Sequence, residues 1–236
     1  MDLSYIDNNV STIRQKINAA AARVGRDPSS IVLLAAIKSA EVDEINYLHT
    51  NCEINEVGEN RVQQLAERYD KLCHDELKMH FIGSLQTNKV KYIIDKVALI
   101  HSLDSERLAA EIQKQAQKRG IVANVLVEIN SGNEENKGGL PVEAVADFCL
   151  GLDKYPNIKL RGFMTMAPRC EKKEDYYPYF NRTREVALAV WHDVLLEKGE
   201  PIISMGMSES FEQAIECGSN MVRIGRSLFV KDTATS

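Results

Sequence analysis

Apolar positions in this chain fall into two rhythms that take turns. Short apolar runs alternate with stretches in which apolar residues recur at steps of three and four; the first reads as buried strand, the second as amphipathic helix. The clearest run is Ile31-Val-Leu-Leu-Ala-Ala-Ile37, closed by Lys38 and preceded by Pro28-Ser29-Ser30. Turn residues at its start and the absence of alternation predict a strand over 31–38 covered on both faces, as strands of parallel sheets are. Ahead of it, Ile6, Val10, Ile13, Ile17, Ala20 and Val24 predict a helix over 4–24, with Ser4 placed to cap its start and Gly25 its end. That helix precedes the first strand and is an addition to the repeating pattern.

The alternation then continues. A short helix is predicted from Glu41 to His49, a weak strand at Ile54–Val57, and a helix through Val62, Leu65 and Tyr69. Met79–Ile82 is a third strand, and Val90, Ile93 and Ile94 mark a helix after it. Ala98–His101 is a fourth strand, followed by a helix with Leu108 and Ile112 on its face, capped by Asp104 and stopped by Gly120. Asn124–Ile129 is a fifth strand, running into a polar, glycine-rich loop; Pro141 opens the next helix. Ile158–Met166 is a sixth strand, with a helix from about Tyr176 to Leu196 beyond it. Ile202–Met205 and Met221–Ile224 are the seventh and eighth strands, with a short helix at Phe211–Ile215 between them, starting near Ser208. Strand–helix alternation implies right-handed crossovers. Eight such units predict a single α/β domain over 1–236: a closed (β/α)8 TIM barrel with an extra N-terminal helix. An open doubly wound sheet is the alternative, but it favours a glycine-rich turn after the first strand, and Lys38-Ser-Ala-Glu41 has no glycine.

Composition narrows the function classes. With 29 basic and 34 acidic residues the net charge is −5, and no basic stripe marks a nucleic-acid partner. Cys52, Cys73, Cys149, Cys170 and Cys217 are odd in number and widely spaced, which disfavours a disulfide framework and a zinc site. The N-terminus lacks the basic region and apolar core of a secretory leader, and no run approaches a membrane span, so the expected compartment is the cytoplasm, with no membrane partner.

Candidate chemistry collects where parallel barrels place it, at the carboxyl ends of the strands. Strand seven ends in Ser204-Met-Gly-Met-Ser208 and strand eight in Arg223-Ile-Gly225-Arg226-Ser227. The loops after these strands commonly form a phosphate site, because free N–H groups at a helix start meet the anion and glycine permits close approach. Lys38, on the neighbouring first strand, shares that rim. A lysine in an apolar setting deprotonates more easily and attacks carbonyls. Lysine plus phosphate nest fits pyridoxal 5′-phosphate (PLP), which carries an aldehyde and a phosphate a ring's width apart. It also fits an aldolase or isomerase barrel without PLP. Each residue has a plainer reading too: a strand-end lysine reaching to water, a serine capping a helix, a glycine relieving a turn.

The resemblance that separates these readings rests on motifs that occur in order: Lys38, Gly58-Glu-Asn-Arg-Val-Gln63, His80-Phe-Ile-Gly-x-Leu-Gln-x-Asn-Lys89, Ile100-His-Ser-x-Asp104, Gly162-Phe-Met-Thr-Met166, Ser204-Met-Gly-Met-Ser208 and Val222-Arg-Ile-Gly225. Across essentially its whole length the chain resembles the pyridoxal phosphate homeostasis family, also called the YggS or PROSC family. The resemblance implies a monomer-like barrel similar to the alanine racemase N-terminal domain, with PLP held as a Schiff base on Lys38. It implies that Ser208, Gly225 and the backbone of Arg226 hold the phosphate, that Arg223 faces the pyridine nitrogen, and that Asn60 lies near the ring. Ser102, Met164 and Met207 are expected to line the pocket, and Lys137 to stand near its mouth and take part in cofactor transfer.

Departures from the family pattern are Ile37 before the lysine, Ala40 two positions after it, Ser210 for an acidic residue, and Arg226 for a threonine or serine. An arginine at 226 could replace a lost hydroxyl contact by charge. The implied function is intracellular PLP homeostasis: reversible binding and release to PLP-dependent apo-enzymes, without strong catalysis. An arginine at the pyridine nitrogen weakens the ring as an electron sink. Racemisation also needs acid/base groups on both faces of the substrate. The racemases' second, β-rich domain is not expected, as the chain ends about ten residues after the eighth strand. His80, His101 and Tyr47 are the candidate substitutes for the missing base.

Overall fold

The structure is a computed structural model, described here for residues 2–73, 75–134 and 138–231. Eight strands, β1 (Val32–Ala36), β2 (Glu56–Glu59), β3 (Lys78–Phe81), β4 (Leu99–Leu103), β5 (Ala123–Glu128), β6 (Ile158–Met164), β7 (Ile202–Ser204) and β8 (Met221–Ile224), close into a parallel barrel in sequence order. Closure is made by β8 against β1, with Val32 opposite Met221 and Ala35 opposite Ile224. The (β/α)8 barrel expected from the apolar rhythm is the architecture found.

Helices α1 (Ser4–Arg23), α2 (Val42–Cys52), α3 (Val62–Arg68), α4 (Glu106–Arg119), α5 (Val145–Leu150), α6 (Tyr177–Ala189), α7 (Phe211–Glu216) and α8 (Arg226–Phe229) surround it. In α1 the six buried positions, Ile6, Val10, Ile13, Ile17, Ala20 and Ala21, form one stripe. That stripe packs on α7, α8 and α2, and Arg23 ties the helix to Glu212 and Glu216 of α7. The added helix therefore covers the seam where the barrel closes.

Strand periodicity divides the side chains into two sets. One set joins the layer between strands and helices. The other fills the barrel: Leu34, Ile82 and Met221 form one inner cluster, and Leu99, Leu126 and Met164 another, with Ile202 against both. Gly162 is required by contact. At φ +145 its missing Cβ would lie 2.0 Å from the carbonyl oxygen of Ile202, so β6 can pair with β7 there only without a side chain.

Helix ends correct three expectations. Ser4 is the first helical residue rather than the cap, and its N–H goes to Asp2 Oδ1 at 2.9 Å; a carboxylate beside the helix N-terminus also interacts favourably with the positive end of its dipole. Ser105, not Asp104, caps α4: its backbone is extended and its hydroxyl accepts the N–H of Leu108 at 3.4 Å. Val90, Ile93 and Ile94 are buried as expected, but Thr87–Tyr92 winds as a 3-10 segment, since one short turn gains little from α propagation. The five cysteines are free thiols. No described helix is long and apolar enough to cross a membrane.

Candidate functional site at the carboxyl ends of the strands

Lys38 sits two residues past β1 in a turn, and its side chain is exposed. The apolar enclosure expected around it is therefore not found. Its backbone is nonetheless held firmly from two sides. The Ile37 N–H donates to the Gly58 carbonyl at 2.9 Å, and the Ile37 carbonyl accepts from Arg68 Nη1 at 2.9 Å. Arg68 in turn pairs with Glu59 Oε2 at 3.1 Å, while Glu59 Oε1 accepts the N–H groups of Asn60 and Arg61. One fully buried carboxylate thus sets the positions of Asn60 and, through Arg68, of the peptide preceding Lys38. A carboxylate with these partners is a buried charge whose lone pairs are satisfied. Glu59 and Arg68 were not singled out from sequence; Gly58-Glu-Asn-Arg contained the first, and nothing local marked the second.

The phosphate-nest residues meet Lys38 through β1. Gly225 follows β8 directly, and a Cβ there would come within 2.8 Å of the Ala36 carbonyl oxygen and 3.2 Å of the Ala36 side chain. The two loops touch because residue 225 has no side chain. Ser208 is half-buried in the turn after β7; the expected helix start near it lies instead at Phe211. Ser210 closes this turn, its hydroxyl accepting the Met207 N–H at 3.3 Å and its own N–H reaching the Met207 carbonyl at 2.9 Å. The substitution of an acidic residue by Ser210 therefore keeps an acceptor where the turn uses one. Arg226 opens α8 with an exposed side chain that meets Glu209 at 3.2 Å. Its charge is paired with that carboxylate on the exposed rim.

Deeper in the mouth, Arg223 is fully buried. Nη1 donates to the Ser204 carbonyl at 2.8 Å and to Ser204 Oγ at 2.7 Å, and Nη2 donates to the Thr165 carbonyl at 2.9 Å. A guanidinium has five N–H donors, so two remain for a ligand among the described residues. Burial pulls its pKa down to about 10, opposed by Glu128, so it stays charged near neutrality. Burial raises the Glu128 carboxyl to about 7, reinforced by Asp104 and opposed by Arg223.

Four buried side-chain polar atoms lack partners among the described residues, and Asn60 Oδ1 and Ser102 Oγ are two of them, with Gln64 Oε1 and Gln213 Oε1 the others. Asn60 and Ser102 are residues named from the sequence, and an unpaired buried acceptor or hydroxyl calls for a ligand or water. Met164 is buried in the inner cluster, and Met207 is exposed on the rim. Lys137 lies outside the described residues. Its neighbour Gly138 stands over Asp104 and Glu128, within 3.5–3.6 Å of their carboxylates measured from a built Cβ. Tyr47, a candidate base, is on the outer helices, donating to Asp7 at 2.7 Å.

Comparison with known proteins gives this geometry a family. The family described as alanine racemase, N-terminal domain, matches residues 1–232. A pyridoxal phosphate homeostasis protein from Aquifex aeolicus (strain VF5) is 45% identical over 222 residues, covering 93% of this chain and 95% of that one. The chain belongs to the pyridoxal phosphate homeostasis family. Among solved structures of similar proteins, an unknown protein from Bifidobacterium adolescentis superposes with a TM-score of 0.85 at 30% identity, covering 97% of each chain. PipY of Synechococcus elongatus PCC7942, solved with PLP bound, superposes with a TM-score of 0.76 at 25% identity, covering 91% of this chain and 100% of that one. The homeostasis family and the barrel expected from the ordered motifs are thus the ones found.

Proposed function

We propose that this protein binds PLP at the carboxyl ends of its strands, holds it covalently on Lys38, and releases it to apo-enzymes as part of PLP homeostasis. The observation that carries the reading is the seating of Gly225 on Ala36, which brings the loop after β8 against the turn that presents Lys38. PLP bound there supplies an aldehyde that condenses with a primary amine, with loss of water. Lys38 is the amine, and its exposure suits a site that must load and unload. Ser208, Gly225 and the backbone of Arg226 are the phosphate holders, and Asn60 and Ser102 offer the unpartnered polar atoms to the ring. Met164 and Met207 complete the walls, and Lys137 is the second lysine assigned to transfer. The bound PLP of PipY and the name of the Aquifex relative support the same cofactor.

Holding rather than turning over follows from Arg223 and from where the candidate bases lie. A guanidinium can only donate; facing the pyridine nitrogen it leaves that nitrogen unprotonated, and the ring a weak electron sink. Tyr47 is tied to Asp7 outside the barrel, and His80 and His101 are buried and hydrogen-bonded to each other. None of these three is placed as the opposing base.

The test is a transfer assay. PLP-loaded protein mixed with a PLP-dependent apo-enzyme is expected to restore that enzyme's activity, while the loaded protein alone leaves D- and L-amino acids unchanged. Sustained racemisation or elimination, lost in Lys38→Ala, would overturn the carrier reading in favour of an enzyme.

A further inference from the structure

Five inward side chains form a continuous file through the barrel, and only the last of them has a role in the reading above. Glu56 Oε2 meets His80 Nε2 at 2.5 Å, His80 Nδ1 meets His101 Nε2 at 2.9 Å, and His101 Nδ1 meets Ser204 Oγ at 3.2 Å. Ser204 Oγ takes the next bond, from Arg223 Nη1 at 2.7 Å. They come from β2, β3, β4, β7 and β8. Arg223 lies two residues before the Gly225 loop, at the mouth. Glu56 opens β2 at the opposite end of the barrel, where Lys78 Nζ reaches Glu56 Oε1 at 3.0 Å. There Glu56 also lines a cavity of about 380 Å³ with Arg14, Pro28 and Asn55.

With both histidines neutral, the carboxylate end sets the direction of the file. Glu56 can only accept, so His80 Nε2–H donates to it and His80 Nδ1 accepts from His101 Nε2–H. His101 Nδ1 then accepts the Ser204 hydroxyl proton, and Ser204 Oγ accepts in turn from Arg223. Burial holds His101 neutral, well below the usual histidine range, and the positive charge of Arg223 acts the same way. The other charged groups facing the file are Lys78 at Glu56 and Glu128 at Arg223, with Asp104 behind Glu128. Apolar filling would cost less than a polar file unless every member is satisfied; here each one has its partner.

We propose that Glu56, His80, His101 and Ser204 are positioning residues for the cofactor site, a hydrogen-bond file that fixes the Arg223 guanidinium at the mouth and couples it to the charge on Glu56 at the far end of the barrel. The role at the ring rests on the PLP reading; the coupling along the file does not.

Nuclear magnetic resonance of the cofactor-free chain, labelled with 15N-histidine and 15N-arginine, tests the coupling. His80→Gln and His101→Gln assign two of the five histidines. The expected spectrum at pH 7 has both file histidines as Nε2–H tautomers, with His101 unchanged as the pH falls to 5.5. Glu56→Gln is expected to move the Arg223 side-chain signals, and to leave them unmoved when Ser204→Ala or, should that variant fold poorly, His101→Gln has already broken the file. Such non-additivity is the signature of coupling rather than packing. An Nδ1–H tautomer at His101, or Arg223 signals that ignore Glu56→Gln, would overturn the file. PLP titration reads the ring end: Glu56→Gln is expected to weaken binding about threefold to tenfold, an effect absent in the Ser204→Ala background. Wild-type affinity in Glu56→Gln would overturn the positioning role alone. A wild-type chain that binds no PLP would remove the cofactor reading and this role with it, leaving the spectra to report on the file separately.

Discussion

Arg223→Met is expected to lower stability by about 3 kcal/mol, in the range for removing one member of a buried, hydrogen-bonded charge network. The Ser204 and Thr165 carbonyls and Ser204 Oγ lose their donor together, and methionine fills the volume without replacing a hydrogen bond. For a chain of this length the loss corresponds to roughly 10 °C in Tm. The deficit should depend on pH. Arg223 is what lowers Glu128, whose carboxyl is already raised to about 7 against an ordinary 4.5. A carboxyl raised in the folded state contributes stability that is present at low pH and lost as pH rises through the folded value. Without the guanidinium that value rises further, so the variant falls behind the wild type by a growing margin from about pH 6 to pH 8. Thermal melts across that range check the prediction. An unchanged Tm, or a deficit that shrinks as pH rises, would show that Arg223 does not hold the mouth together.

Gly162→Ala is expected to be comparably severe for a different reason. The new methyl would lie 2.0 Å from the Ile202 carbonyl oxygen and 2.5 Å from its nitrogen, both backbone atoms of the paired strand, at φ +145. Neither can move without opening β6 from β7, so the cost is about 4 kcal/mol or more, the range of the most disruptive single changes. Gly199→Ala is the internal control. Its φ is +80 and nothing lies within 4 Å of the added methyl, so only the backbone preference is lost, about 1 kcal/mol. Equal melting temperatures for the two variants would contradict the steric account.

Much of the fold was legible because strands of a parallel barrel are buried on both faces. Ile31–Ile37 and Asn124–Ile129 read as strands because solvent does not interrupt them. Lys38 was legible as the charge that ends such a run. Helix caps were harder to read: Asp104 and Ser105 are adjacent acceptors, and only the backbone angles decide which one turns to Leu108. Asp104 is used elsewhere, beside Glu128. The 3-10 winding of Thr87–Tyr92 carries the same apolar spacing as an α-helix and differs only in how far it propagates. At the site, residues on strand ends were legible because topology alone gathers them. The supporting contacts were not. Nothing near Arg68 says that its guanidinium will reach the Ile37 carbonyl. Nor does anything near His80 say that its Nδ1 will face His101, 21 residues later. Such partners are set by barrel register and stagger, which only the closed sheet defines.

The central claim is that Lys38 anchors PLP, and peptide mass mapping after borohydride reduction of the PLP-incubated protein tests it most directly. The expected result is a visible absorption band that borohydride abolishes, with a stable pyridoxyl group on the peptide containing Lys38 and none in Lys38→Ala. No band with excess PLP, or a pyridoxyl group carried by another lysine while Lys38 is unmodified, would contradict the account.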